Sequence, residues 1–247
     1  MSAREGAATG AKAGEGAQTV PRKRTFYTEV AYALGVLLLA LGTAFMERSD
    51  FGVSMVVAPA YLLYRKLSET LPFVTFGMAE YTLQAVLLAL TSLTLRRWRP
   101  SFLFSFVTAV LYGLTLDGCM LLVGLLPAGA VAWRFAYYLL GLLACAAGVS
   151  MLFHTYIAPE VYELAVKEIS AKYGFEIHKV KTCYDCASCL LGVALSFAFF
   201  GMWHFEGVKL GTVVCALING WTIGMFSRFF ERRFTFTDGL PLRKYFV

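Results

Sequence analysis

Between Phe102 and Val131 the chain carries one charged side chain, Asp117, and between Phe135 and Ile157 it carries no Asp, Glu, Lys or Arg. Apolar stretches of about 18 residues or more are read as helices that cross a bilayer. There the helix satisfies every backbone N–H and C=O within itself. Composition agrees: 58% of the 247 residues are apolar and 15% are charged, against about 45–50% and about 25% in soluble domains. The mean hydropathy is +0.64. The fold class expected is therefore all-α, a polytopic membrane protein.

Six spans are expected, near 30–46, 76–95, 102–125, 133–153, 183–203 and 210–230, joined at 51–71 and 157–180 by segments too polar to span. Basic residues gather in short loops, which by the positive-inside rule lie in the cytoplasm. "PRKR" (21–24), "RRWR" (96–99), the lysine-rich segment 167–181 and "ERRF" (231–234) all fall on one side. The outer loops "LLPAGAVAW" and "WHFEGVK" are poor in positive charge, and only Arg65 and Lys66, beside Glu69, run against the pattern. The expected location is a cell membrane, multi-pass, with both termini cytoplasmic. The Ala- and Gly-rich residues 1–25 read as a disordered cytoplasmic tail and 235–247 as a cytoplasmic C-terminal tail. No apolar segment near Met1 fits a cleavable signal peptide. The net charge of +6 sits beside the spans, where it meets lipid headgroups, and does not point to nucleic acid.

The two halves, 26–131 and 132–234, resemble each other. "LLLALGTAFM" from Leu37 matches "GLLACAAGVSML" from Gly141, "VVAPAYLLYRKLSE" from Val56 matches "YIAPEVYELAVKEIS" from Tyr156, and "VTAVLYGLTLDGCM" from Val107 matches "TVVCALINGWTIGMF" from Thr212. Each half reads span, amphipathic segment, span, span. Three spans is an odd number, so the second copy lies upside down relative to the first. Inverted repeats with amphipathic linker helices are a mark of secondary transporters, whose sites lie between the repeats.

Four stretches resemble the YczE/YyaS/YitT-type family of bacterial integral membrane proteins: "LALGTAFMERSDFGVS" (39–54), "LRRWRPSFLFSFVTAVLYGLTLDG" (95–118), "IHKVKTCYDCASCLLG" (177–192) and "GVKLGTVVCALINGWTIGMF" (207–226). Met55 stands where that family usually has proline, and the cysteines around Asp185 are not part of its pattern. The resemblance implies an inner-membrane protein of unknown activity.

The candidate binding residues are polar groups in or beside spans. Asp117 lies in the third span, where a carboxylate costs about 2.5–3.5 kcal/mol on insertion scales; it either binds an ion or proton or caps a broken helix. Glu80 and Asp185 hold corresponding places at the starts of the second and fifth spans, and Lys181 stands four residues before Asp185. Glu80 reads first as complementing the helix dipole, while Asp185 either pairs with Lys181 along the helix or lines, with the lysines, the inner mouth of a cavity. Asn219 sits mid-span in the sixth. Pro59 and Pro159 open the two linkers; Arg65, Lys66, Lys167 and Lys172 favour their lying on the membrane surface.

Cys183, Cys186 and Cys189 form one helical stripe, with neighbouring Cβ atoms about 5–6 Å apart. A disulfide needs about 3.5–4.5 Å, so the choices are a soft metal such as Cu(I) or packing. His154 and His204 have no partner ligand at helical spacing. The leading expectation is a secondary transporter or permease of a small solute or ion. The rivals are a membrane scaffold binding partner proteins and a soft-metal or thiol-redox protein. No phosphate-binding loop, Ser–His–Asp set or paired metal carboxylates appear, so neither an enzyme nor a cofactor is expected. The partners expected are the bilayer, a small solute or ion, and a second copy of the chain in a homo-oligomer.

Overall fold

The computed structural model describes residues 24–96, 100–202 and 205–241. Among the described residues eight helices follow a short strand: β1 (Arg24–Tyr27), α1 (Thr28–Ser49), α2 (Ala58–Leu67), α3 (Phe76–Leu95), α4 (Pro100–Gly124), α5 (Val131–Phe153), α6 (Val161–Tyr173), α7 (Ile177–Phe200) and α8 (Leu210–Arg233), and the strand β2 (Phe234–Thr237) follows α8. Six of the helices, all but α2 and α6, are long and apolar enough to cross a membrane. The protein is all-α and polytopic in its membrane part.

At the centre, α1 and α5 cross on glycine. Gly42 faces Gly141 and, two helical turns away, Gly35 faces Gly148. A Cβ on Gly42 would lie 2.7 Å from the Gly141 carbonyl oxygen, and one on Gly148 would lie 2.7 Å from that of Gly35. Small residues let two helix backbones approach this closely in lipid, where packing rather than hydrophobicity drives association.

The remaining helices pair in a way that exchanges the halves. As α1 packs on α4, α5 packs on α8; as α6 packs on α3, α2 packs on α7. The symmetry breaks most between α3–α4 and α7–α8. In the first half α3 lies tight against α4, where a Cβ on Gly77 would overlap the Gly113 backbone. In the second half α7 and α8 touch at only a few residues. "LYGLT" (111–115) matches "INGWT" (218–222), so Gly220 is the counterpart of Gly113, yet nothing lies within 4 Å of a Cβ placed on it.

The linkers differ from the surface placement favoured by their charges. α2 buries Ala58, Pro59, Ala60, Tyr61 and Leu62, and α6 buries Val161, Tyr162, Leu164, Ala165 and Val166. Both helices begin inside the protein and end at its surface. Their positive charge lies beyond the buried N-terminal turns: Arg65, Lys66 and Lys172 are in the last turns and Lys167 is midway along α6. A helix of that kind enters apolar end first.

The tails begin further out than expected. Arg24 and Thr25 already pair in register with Phe234 and Thr235 in a parallel two-stranded ladder, and Phe26 packs on Phe234 and Phe236. Glu29 accepts hydrogen bonds from Tyr156, Gly239 and Leu240, tying the start of α1 to the chain beyond α8. Residues 1–23, nearly all of the expected N-terminal tail, and 242–247, the end of the expected C-terminal one, lie outside the described residues, as do Arg97 to Arg99 of the basic loop.

Candidate functional site

Where α6 begins, the chain approaching it has no helical partner for its carbonyls, and α4 supplies them. Thr108 donates to the Ala158 carbonyl at 2.9 Å, and Ser105 donates to that of Pro159. Glu160, immediately before α6, is thereby fixed deep in the protein at 5% exposure.

Two turns of α3 face it. Glu80 and Gln84 stand one turn apart, i and i+4, and both are fully buried. The Gln84 amide nitrogen donates to Glu80 Oε1 at 3.3 Å and to Glu160 Oε2 at 3.4 Å, while its oxygen accepts from the backbone N–H of Val161 at 3.1 Å. One amide thus bridges two carboxylates and caps a helix. Glu80 Oε2 and Glu160 Oε1 remain buried without a hydrogen-bond partner, and the Tyr162 hydroxyl faces Glu80 without a well-aligned bond. Buried polar groups are rarely left so. Burial, with the Glu80 and Glu163 carboxylates nearby, pushes the Glu160 carboxyl well above the usual range, and the bond from Gln84 and the charge on Lys181 only partly oppose it.

A cleft of about 600 Å³, counting its open mouth, runs beside Glu160. Elements of both halves line it: Thr43 of α1, Ser54 before α2, Tyr112 of α4, Cys145 of α5, Glu163 of α6, Lys181 of α7 and Asn219 of α8. Thr43 and Tyr112 share a hydrogen bond of 2.9 Å across it. Lys181 holds Glu163 at 2.8 Å and Asp185 at 3.1 Å. Leu39, Val56, Val149 and Leu152 make up apolar wall. Apolar walls with a few convergent polar groups are the makeup of small-molecule sites.

Of the residues singled out from sequence, Lys181 and Asn219 line the cleft, Asp185 pairs with Lys181, and Glu80 joins Glu160 through Gln84. Asp117 does not join them. Its two oxygens accept from Thr75 Oγ1 at 2.6 Å and from the Gly77 N–H at 2.8 Å, and Thr75 in turn caps α3 through Met78 N. It is a helix-capping aspartate that pins the start of α3 to α4, the plainer of its two sequence readings.

The cysteines do not converge either. Cys183 and Cys186 are exposed on α7 while Cys189 turns partly inward, and among the described residues no group of three His, Cys, Asp or Glu is placed to hold a metal ion. The three cysteines of the stripe therefore do not form a three-ligand site in this arrangement. A helical step of three residues drifts around the helix, so three positions do not present one face to a single ion.

Glu160, Gln84, Glu163, Tyr112 and Thr43 went unrecognised in the sequence. The signal for Glu160 was present in the repeat: "APE" (158–160) answers "APA" (58–60), a charge in one copy at the place where the other has Ala60.

The model of a family described as DUF6198, a family of unknown function, matches residues 26–228, and the chain belongs to that family. Nothing in this match names the YczE/YyaS/YitT-type family that the four motifs resemble. Neither a curated protein nor a solved structure matches the chain.

Proposed function

We propose that this member of the DUF6198 family is a secondary transporter, which binds a small solute in the cleft between its halves and couples movement to a proton on Glu160. The observation that carries this reading is a carboxylate 5% exposed, with one oxygen unpartnered, lining a cleft built from both halves of the chain. An isolated buried charge is costly, and such a group holds a proton until a conformational change or a ligand alters its surroundings. The exchange symmetry of the helix pairs and its breakage between α7 and α8 supply two distinct packings of one motif, which alternating access requires. The loop charges orient both termini toward the cytoplasm of a bacterial inner membrane, a location the family resemblance also implies.

The test is counterflow. Proteoliposomes loaded with pooled amines, amino acids, organic acids, sugars and vitamins are diluted into isotopically labelled pools, and solutes exchanged by wild-type protein are identified by mass spectrometry. Wild-type vesicles exchange at least one solute that empty vesicles do not. Exchange of none across the pools counts against a transporter.

A further inference from the structure

Resting on the transporter reading, we propose that the cleft binds a small organic monocation, an amine or quaternary ammonium with an apolar body, whose charge is held by Glu160 and Glu163. Two carboxylates, Glu160 and Glu163, line the cleft with one lysine, and the Lys181 ammonium is already taken by Glu163 and by Asp185 beside the cleft. Among the described residues, no arginine or histidine lines the cleft. An anionic solute would find no free counter-charge, whereas a cation finds an excess of negative charge and the unpartnered Glu160 Oε1. Leu39, Val149 and Leu152 offer apolar wall.

Proton and cation then compete for one site. Facing Glu160 are Glu80 of α3, Tyr112 of α4, Tyr32 of α1, Cys145 of α5, Lys181 of α7, and Tyr162 and Glu163 of its own helix. Lys181 is the one cation among them, and its charge is shared between two carboxylates. A protonated Glu160 removes one negative charge from the cleft; an ionised one attracts the solute. The competition makes this an exchanger in form: solute enters the site as a proton leaves it.

The test uses the detergent-purified full chain and three probes of similar size: benzyltrimethylammonium, whose charge does not titrate, phenylacetate and benzyl alcohol. Titration calorimetry at pH 6 and pH 8.5 measures each. The cation is expected to bind, at least tenfold tighter at pH 8.5, with the other two probes weaker by tenfold or more. Glu160→Gln is expected to weaken the cation at least tenfold and to flatten its pH dependence. Should that variant fail to fold, the wild-type probe and pH comparison decides alone. Tighter binding of phenylacetate or benzyl alcohol, or cation binding indifferent to pH, overturns the proposal. Counterflow separates the two readings: exchange of an anion or neutral solute without cation binding sinks the cation site and keeps the transporter. Cation binding without flux does the reverse.

Discussion

Gly42→Ala tests the central crossing of α1 and α5. The added Cβ would lie 2.6 Å from Cys145 Sγ, 2.7 Å from Cys145 N and 2.7 Å from Gly141 O. Two of these atoms are backbone, so no side chain can swing away to make room. Ordinary contact begins near 3.4 Å, so α5 has to retreat by about 0.7 Å. Tilting does not relieve it, because Gly35 and Gly148 hold the helices together at the other end of the crossing. Overpacking of this kind costs about 1–3 kcal/mol. Alanine also gains about 1 kcal/mol of helix propensity over glycine, and Gly118→Ala on α4 serves as the reference that carries the same gain, since nothing lies within 4 Å of its Cβ. The difference between the two variants isolates the clash. At roughly 2–4 °C per kcal/mol for a chain of this size, Gly42→Ala should melt about 2–12 °C below Gly118→Ala by tryptophan fluorescence in detergent. Equal melting temperatures would refute the close crossing.

Three further expectations follow from particular contacts. Asp117→Asn loses one of the two bonds that pin α3, so melting temperature drops by the equivalent of about 1–2 kcal/mol while solute flux per folded molecule stays at the wild-type level; abolished flux would return Asp117 to the transport pathway. Glu160 binds its proton more tightly in the folded chain than in the unfolded chain, where its pKa is about 4.3, so the native state holds more protons above that value. Stability is then fullest below about pH 4.3 and is lost as pH rises toward the raised folded value, a slope that differential scanning fluorimetry should find in wild type and see reduced in Glu160→Gln. Gly220 is exposed and a Cβ placed on it meets nothing within 4 Å, so Gly220→Leu should fold normally, yet it should block counterflow if α7 closes onto α8 during transport as α3 lies on α4.

The spans were legible because a bilayer imposes length and hydropathy together, and the structure moves their ends by only a few residues. The repeat was legible because three matches occur in order, and the helix pairs exchange accordingly. The linkers were misplaced for a physical reason: lysines and arginines in α2 and α6 suggested an interfacial face, but the N-terminal turn of each helix, which carries none of them, is buried in the protein, which only the three-dimensional path reveals. Lys181 and Asp185 could be paired from sequence since i,i+4 spacing puts them on one helical face. Glu80 and Glu160 could not, because the amide joining them belongs to Gln84, and 76 positions separate it from Glu160. Asp117 looked functional by hydropathy alone; its true partners, Thr75 and Gly77, lie on another helix.

Internal pH during solute movement tests the central claim most directly. Proteoliposomes containing a trapped pH-sensitive dye are given an inward gradient of the solute that counterflow identifies. The account predicts a change of internal pH that follows solute entry, is absent from empty vesicles, and is lost in Glu160→Gln even where that variant still exchanges solute. Solute entry with no pH change in wild type, or an unchanged pH signal in Glu160→Gln, would contradict it.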